Sequence, residues 1–115
     1  MAEYGEKKMA KKINYDKEND ILSVHKGFAS DEKFNGNIDV GELILDLSTK
    51  GRVRGIEIMN ASRFFKEFDI DRKMLERMSD IQFDTSIKSS GIILAIVVKN
   101  KDAERLAKIA VPLVR

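Results

Sequence analysis

The chain is predicted to be an α+β protein, with an antiparallel β-meander of about four strands, two short helices and a C-terminal β-hairpin or meander. Three observations carry this reading. Apolar and polar residues alternate at the period of a half-buried strand over 13–24 and again over 43–58. Phenylalanine and methionine then recur at helical spacing over 64–78. A further alternating stretch, 81–87, leads through Lys88-Ser89-Ser90-Gly91 into 92–98, which is apolar at every position.

Each element follows from its residues. Ile13 and Tyr15, the turn-forming 17–20, then Leu22 and Val24 read as a hairpin. After Gly27 a polar connection runs through Ser30, Asp31, Glu32, Asn35 and Gly36. Leu43, Leu45 and Leu47 alternate as a third strand, and Ile56 and Ile58 carry a fourth. Thr49-Lys50-Gly51 closes the hairpin between them, with Gly51 supplying a left-handed residue. Asn60 is expected to cap a first helix, in which Phe64 and Phe68 fall one turn apart with Phe65 beside them. Asp71 is expected to cap a second, with Ile70 and Leu75 as a hydrophobic staple and an end near Ser79 or Asp80. The C-terminal segment fits a strand through Ala107, Ile109, Val111 and Leu113, and a helix through Leu106, Ile109, Ala110 and Leu113. Pro112 favours an edge strand.

Composition bounds the function. The chain has 115 residues, 21 Lys and Arg against 19 Asp and Glu, one His and no Cys. That length suits one domain, expected over 13–115, with a meander-and-helix part at 13–65 and a helix and strands at 66–115. The lysine-rich 1–12 lacks an apolar period and reads as a flexible basic tail. Without cysteine there are no disulfides, thiolate metal sites or thiol nucleophiles. No stretch approaches the roughly 20 apolar residues of a membrane span, and no apolar leader opens the chain, so a cytoplasmic location is expected. A net charge of +2 is small for a polyanion binder. Abundant Lys, Glu and Ile with a single Gln, Gln82, resemble compositions from hot environments.

The run Tyr15-Asp16-Lys17-Glu18-Asn19-Asp20-Ile21-Leu22-Ser23-Val24, followed by Gly51-Arg52-Val53-Arg54-Gly55-Ile56-Glu57-Ile58 and Ala61-Ser62, resembles domain-of-unknown-function family 2283. The resemblance covers roughly 13–65 and implies the meander-plus-helix unit. It assigns no chemistry. Some bacterial members look like neutralising partners of small ribonuclease-type toxins, which makes an antitoxin role the alternative it implies.

Each constellation of polar residues also has a plain structural role. Asp16, Glu18 and Asp20 alternate like the start of a calcium loop, but Ile21 stands where that loop needs Gly and Gly27 where it needs Glu. Turn hydrogen bonding is the better reading. His25 is the only imidazole, so a multi-histidine metal site is excluded, and a Ser-His-Asp arrangement would need Asp46 or another carboxylate to orient it. Arg52, Arg54, Arg63, Arg72, Lys73 and Arg77 could form a basic face, with Arg52 and Arg54 as its leading residues. Glu57, Glu67, Asp69, Asp71 and Glu76 interrupt it, so nucleic acid is not the expected partner. No catalytic residue, metal ligand or cofactor is assigned, and the scattered glycines form no phosphate loop. Gly55 is expected to mark a bulge or a close backbone approach.

The leading expectation is a non-enzymatic, homo-oligomeric interaction module. The strand at 92–98 needs cover on both faces, and two short helices supply one layer. Phe65, Phe68, Leu75 and Met78 are the expected contact surface, since aromatic and methionine side chains favour interfaces. The runner-up is a toxin-neutralising or nucleic-acid-associated regulator.

Overall fold

A computed structural model describes residues 12–112. The chain divides into two compact units at the junction of Asn60 and Ala61. Apart from Lys12, the expected basic tail lies outside the described residues, as does Leu113 of the C-terminal segment.

The first unit is one antiparallel sheet of five strands: β1 (Lys12–Asp16), β2 (Ile21–His25), β3 (Phe34–Val40), β4 (Leu43–Ser48) and β5 (Val53–Ile58). Their spatial order is β1-β2-β5-β4-β3, a Greek-key order in which the β3-β4-β5 meander receives the β1-β2 hairpin beside β5. The register places Ile13, Val24, Ile56, Leu45 and Ile38 in one row and Tyr15, Leu22, Ile58, Leu43 and Val40 in the next. Both rows share a face, and the six central side chains, Leu22, Val24, Leu43, Leu45, Ile56 and Ile58, are buried. At the first turn, Asp16 accepts from the N–H groups of Glu18 and Asn19 and from the Asn19 amide, as turn chemistry predicts.

β3 replaces part of the expected polar connection. Its sequence, FNGNIDV, offers Ile38 and Val40 to the alternation and an exposed Phe34 beyond a bulge, its register shifting between Phe34 and Asn37, where Gly36 adopts φ 95°. A bulged, polar edge strand carries little periodic signal.

Because β2 and β3 lie on opposite sides of β5 and β4, residues 26–33 must cross the end of the sheet. They are fastened there by Glu32, which is only 4% exposed. One carboxylate oxygen accepts from Arg52 Nε at 3.2 Å, with Arg52 Nη2 at 3.1 Å. The other accepts from the Ala29 N–H at 2.9 Å and lies 3.3 Å from Arg54 Nε. Arg54 also donates to the Gly27 carbonyl at 2.8 Å, and its own carbonyl accepts from the Lys26 N–H. Where the crossing ends, Lys33 and Thr49 exchange hydrogen bonds.

The second unit carries α1 (Ala61–Phe64), a 3-10 turn (Lys66–Phe68), α2 (Arg72–Glu76), and a sheet of β6 (Asp80–Lys88), β7 (Gly91–Lys99) and β8 (Glu104–Pro112) in sequential order. The C-terminal segment is thus an edge strand, with Pro112 at its last position. Asp71 caps α2 by accepting from the Met74 N–H at 2.8 Å, and the staple residues Ile70 and Leu75 are both buried. Asn60, just before α1, sits at φ 50° and its amide donates to Glu42. One local expectation is corrected. α2 ends at Glu76, before Met78, because Arg77 leaves helical geometry and its N–H is shared by the Lys73 and Met74 carbonyls.

Burial alone would raise the Glu32 carboxyl pKa, but the Ala29 N–H, the Ser48 hydroxyl and the two guanidiniums outweigh it and hold the value below the ordinary range. As pH falls, the unfolded chain takes up this proton first, near its ordinary value of about 4.3. The stabilisation is therefore present above that pH and is lost as pH drops toward the lower folded value. Glu32→Gln is expected to cost about 3 kcal/mol, seen as a melting temperature lower by roughly 15 °C at neutral pH, and to shrink the acid-induced loss of stability. Thermal melts of both proteins between neutral and acid pH check this.

Candidate functional site

Two surfaces of the molecule gather polar or apolar groups that could meet a ligand or partner. The first is the polar face of the five-stranded sheet, where the register aligns Lys12, His25, Gly55, Asp46 and Asn37, and beside them Asn14, Ser23, Glu57, Ile44 and Asp39. Lys12, His25, Asp46, Asn37, Ser23 and Glu57 among them line a shallow depression of 290 Å³. His25 and Asp46 lean toward each other across Gly55, with Nε2 and Oδ2 3.9 Å apart. A Cβ on Gly55 would lie 2.4 Å from His25 Cδ2 and 3.0 Å from Asp46 Oδ2, so the expected close approach is that of an imidazole to the backbone. Beside it, the β4–β5 register shifts between Asp46 and Leu47.

The chemistry open to this pair follows from the imidazole's bonding. His25 Nδ1 accepts from the Gly27 N–H at 2.8 Å, so the neutral ring carries its proton on Nε2, facing Asp46. That tautomer has no lone pair free to take a proton from Ser23, although Ser23 shares the face. The ring is further held edge-on against Phe28, with centroids 5.0 Å apart. Among the described residues, no group of three or more His, Asp or Glu is placed to hold a metal ion.

Arg52 and Arg54, expected on a basic face, both turn to Glu32. Arg54 is 6% exposed, enclosed between Glu32 and the Gly27 carbonyl of the 26–33 crossing; Arg52 remains about half exposed. The other cations fall elsewhere. Lys73 of α2 and Arg77 just after it line a cleft of 460 Å³ with Lys101 and Arg105, and Asp69, Asp71 and Asp102 stand in the same cleft. There Arg105 donates to Asp69 at 3.2 Å.

The four side chains expected at a contact surface divide. Phe65 and Leu75 are fully buried, whereas Phe68 and Met78 are half-buried. The helical segments are each so short that their best apolar residues are taken up by the interior of the chain.

The second surface lies on the three-stranded sheet. Its first face holds Ile81 and Phe83 of β6, Ile92, Leu94, Ile96 and Val98 of β7, and Ala107 and Val111 of β8, all buried. Its second face presents Ile93, Ala95 and Val97 along β7, half-buried, flanked by Leu106 and Ala110 of β8, which are exposed. Leu106 is 57% exposed. The β6 side of this face is polar, with Gln82, Asp84 and Ser86 opposite Val97, Ala95 and Ile93. Sequence periodicity marked β7 as apolar on both faces, but Leu106 and Ala110 join it only once 104–112 is a strand.

The geometry at Gly55 gives a direct test. Gly55→Ala is expected to cost about 1–2 kcal/mol in denaturant unfolding, by driving the His25 ring off the Gly27 N–H, and much less in a His25→Ala background.

Comparison with known proteins places part of the chain. An uncharacterised protein of Methanocaldococcus jannaschii, MJ0789, is 37% identical over 70 residues, which cover 59% of this chain and 58% of that protein. No solved structure matches. Over residues 12–62, nearly all of the five-stranded sheet unit and the start of α1, the chain matches the model of DUF2283, a family of proteins of unknown function.

Proposed function

We propose that the protein is a non-enzymatic interaction module of the cytoplasm that self-associates through the second face of β6, β7 and β8. The observation that carries this reading is the apolar strip Ile93, Ala95, Val97, Leu106 and Ala110. A central strand apolar on both faces belongs between two layers, and one layer is in place. The location accords with a chain free of cysteine and rich in charge. No helix among the described residues is long and apolar enough to cross a membrane.

One feature favours a second reading, a toxin-neutralising or nucleic-acid-associated regulator. Lys73, Arg77 and Lys101 line the cleft beside α2 and make no ion pair with a described residue, so they are available to phosphate groups.

Light scattering behind gel filtration separates the two. The first reading expects a native mass at a whole multiple of 13.1 kDa that persists at high salt, and a Val97→Asp variant that keeps its circular dichroism but runs as a monomer. A wild-type monomer across a broad dilution series refutes it. The second expects a salt-sensitive species whose ultraviolet absorbance reveals bound nucleic acid, conspicuous beside a chain with two Tyr and no Trp.

A further inference from the structure

The second face of the three-stranded sheet carries charges in positions that choose between ways of stacking it on itself. The central row runs Asp84 on β6, Ala95 on β7 and Lys108 on β8. Rows on either side are Gln82, Val97 and Leu106, then Ser86, Ile93 and Ala110. A closed dimer of such a face needs a two-fold axis lying between the two sheets. Two directions are open to it.

An axis across the strands sets β6 on the partner's β6 and β8 on the partner's β8. Asp84 then faces a second Asp84 and Lys108 a second Lys108, two like-charge contacts beside an apolar centre, which is unfavourable. An axis along β7 preserves each row but exchanges the edges, so β6 lies over the partner's β8. Asp84 then faces Lys108 in both symmetry-related positions, Ile93, Ala95 and Val97 each meet their own copy at the axis, and Leu106 is covered by Gln82. Aligned sheets cross at about 30°, which this axis accommodates by tilting each β7 equally.

We propose that two copies stack these faces about a two-fold axis running along β7, so that Asp84 on β6 of each copy pairs with Lys108 on β8 of the other. The occupant of the apolar strip is thus a second copy, chosen by a charge pattern complementary to itself. Asp84 also takes part in an interaction within its own chain, which a carboxylate with two acceptor oxygens can keep while pairing across the interface. Three strands of nine residues present about 30 Å by about 14 Å, modest for a stable dimer, so the dimer dissociates on dilution and its affinity is measurable.

The inference rests on the self-association reading, and sedimentation equilibrium tests the two separately. Asp84→Lys and Lys108→Asp are each expected to raise the dissociation constant on the order of tenfold, since each swap turns two attractive contacts into two repulsive ones. The double variant Asp84→Lys/Lys108→Asp is expected to return to within about threefold of wild type. Circular dichroism checks that each variant folds; should Asp84→Lys fail to fold, Lys108→Asp against the neutral Lys108→Gln carries the same test, with Lys108→Asp the weaker dimer. Equal affinity for wild type and every folded charge variant, with Val97→Asp still monomeric, overturns the axis and leaves self-association through this face standing. A Val97→Asp variant as dimeric as wild type overturns the stacking altogether. A monomeric wild type removes both.

Discussion

The first unit depends on a buried carboxylate. Its Greek-key order requires residues 26–33 to cross one end of the sheet, and a polar eight-residue crossing has little apolar surface with which to hold itself down. Glu32 fastens it by accepting from the Ala29 N–H within the crossing and by pairing with Arg52, just before β5, and Arg54 of β5. Removing a carboxylate from water is costly, and here the cost is offset by the Ala29 N–H, the Ser48 hydroxyl and two cations. Arg54 in turn needs Glu32 and the Gly27 carbonyl, because a guanidinium this enclosed cannot stand unpaired. The crossing and the β4–β5 hairpin therefore stand or fall together.

The same crossing governs the polar face beside it. Gly27, whose carbonyl is fixed by Arg54, uses its N–H to hold the His25 ring, and the ring lies over Gly55 because no side chain stands there. An imidazole, a serine and a carboxylate on one face suggest acid–base chemistry when read as a set of residue types. Their bonding points the other way for His25, whose available nitrogen is engaged by the backbone.

In the second unit the governing constraint is the central strand. β7 is apolar on both faces, yet α1, the 3-10 turn and α2 together span few turns, and Phe65, Ile70, Met74 and Leu75, in and beside them, are all buried. What is left uncovered is narrow and bordered by charges of opposite sign on its two edges. An apolar strip of that kind is suited to a partner matching both its chemistry and its register.

Much of this was legible in the sequence. Alternation marked β1, β2, β4 to β7, Asp71 announced the cap of α2, and Gly51 and Gly55 marked a left-handed turn and a close approach, because these features depend on local geometry and period. β3 was not legible, since an edge strand whose bulge separates Phe34 from Ile38 and Val40 has almost no period. The fates of Arg52, Arg54, Phe65 and Leu75 were not legible either. A charged or aromatic residue is assigned to surface or interior by what lies across from it, and for Arg54 that is a carboxylate 22 positions earlier in the chain. Likewise the sequence determined that β7 is apolar on both faces, whereas only strand register brought Asp84 and Lys108 to opposite ends of one row, because pairing partners are set by the sheet and not by distance along the chain.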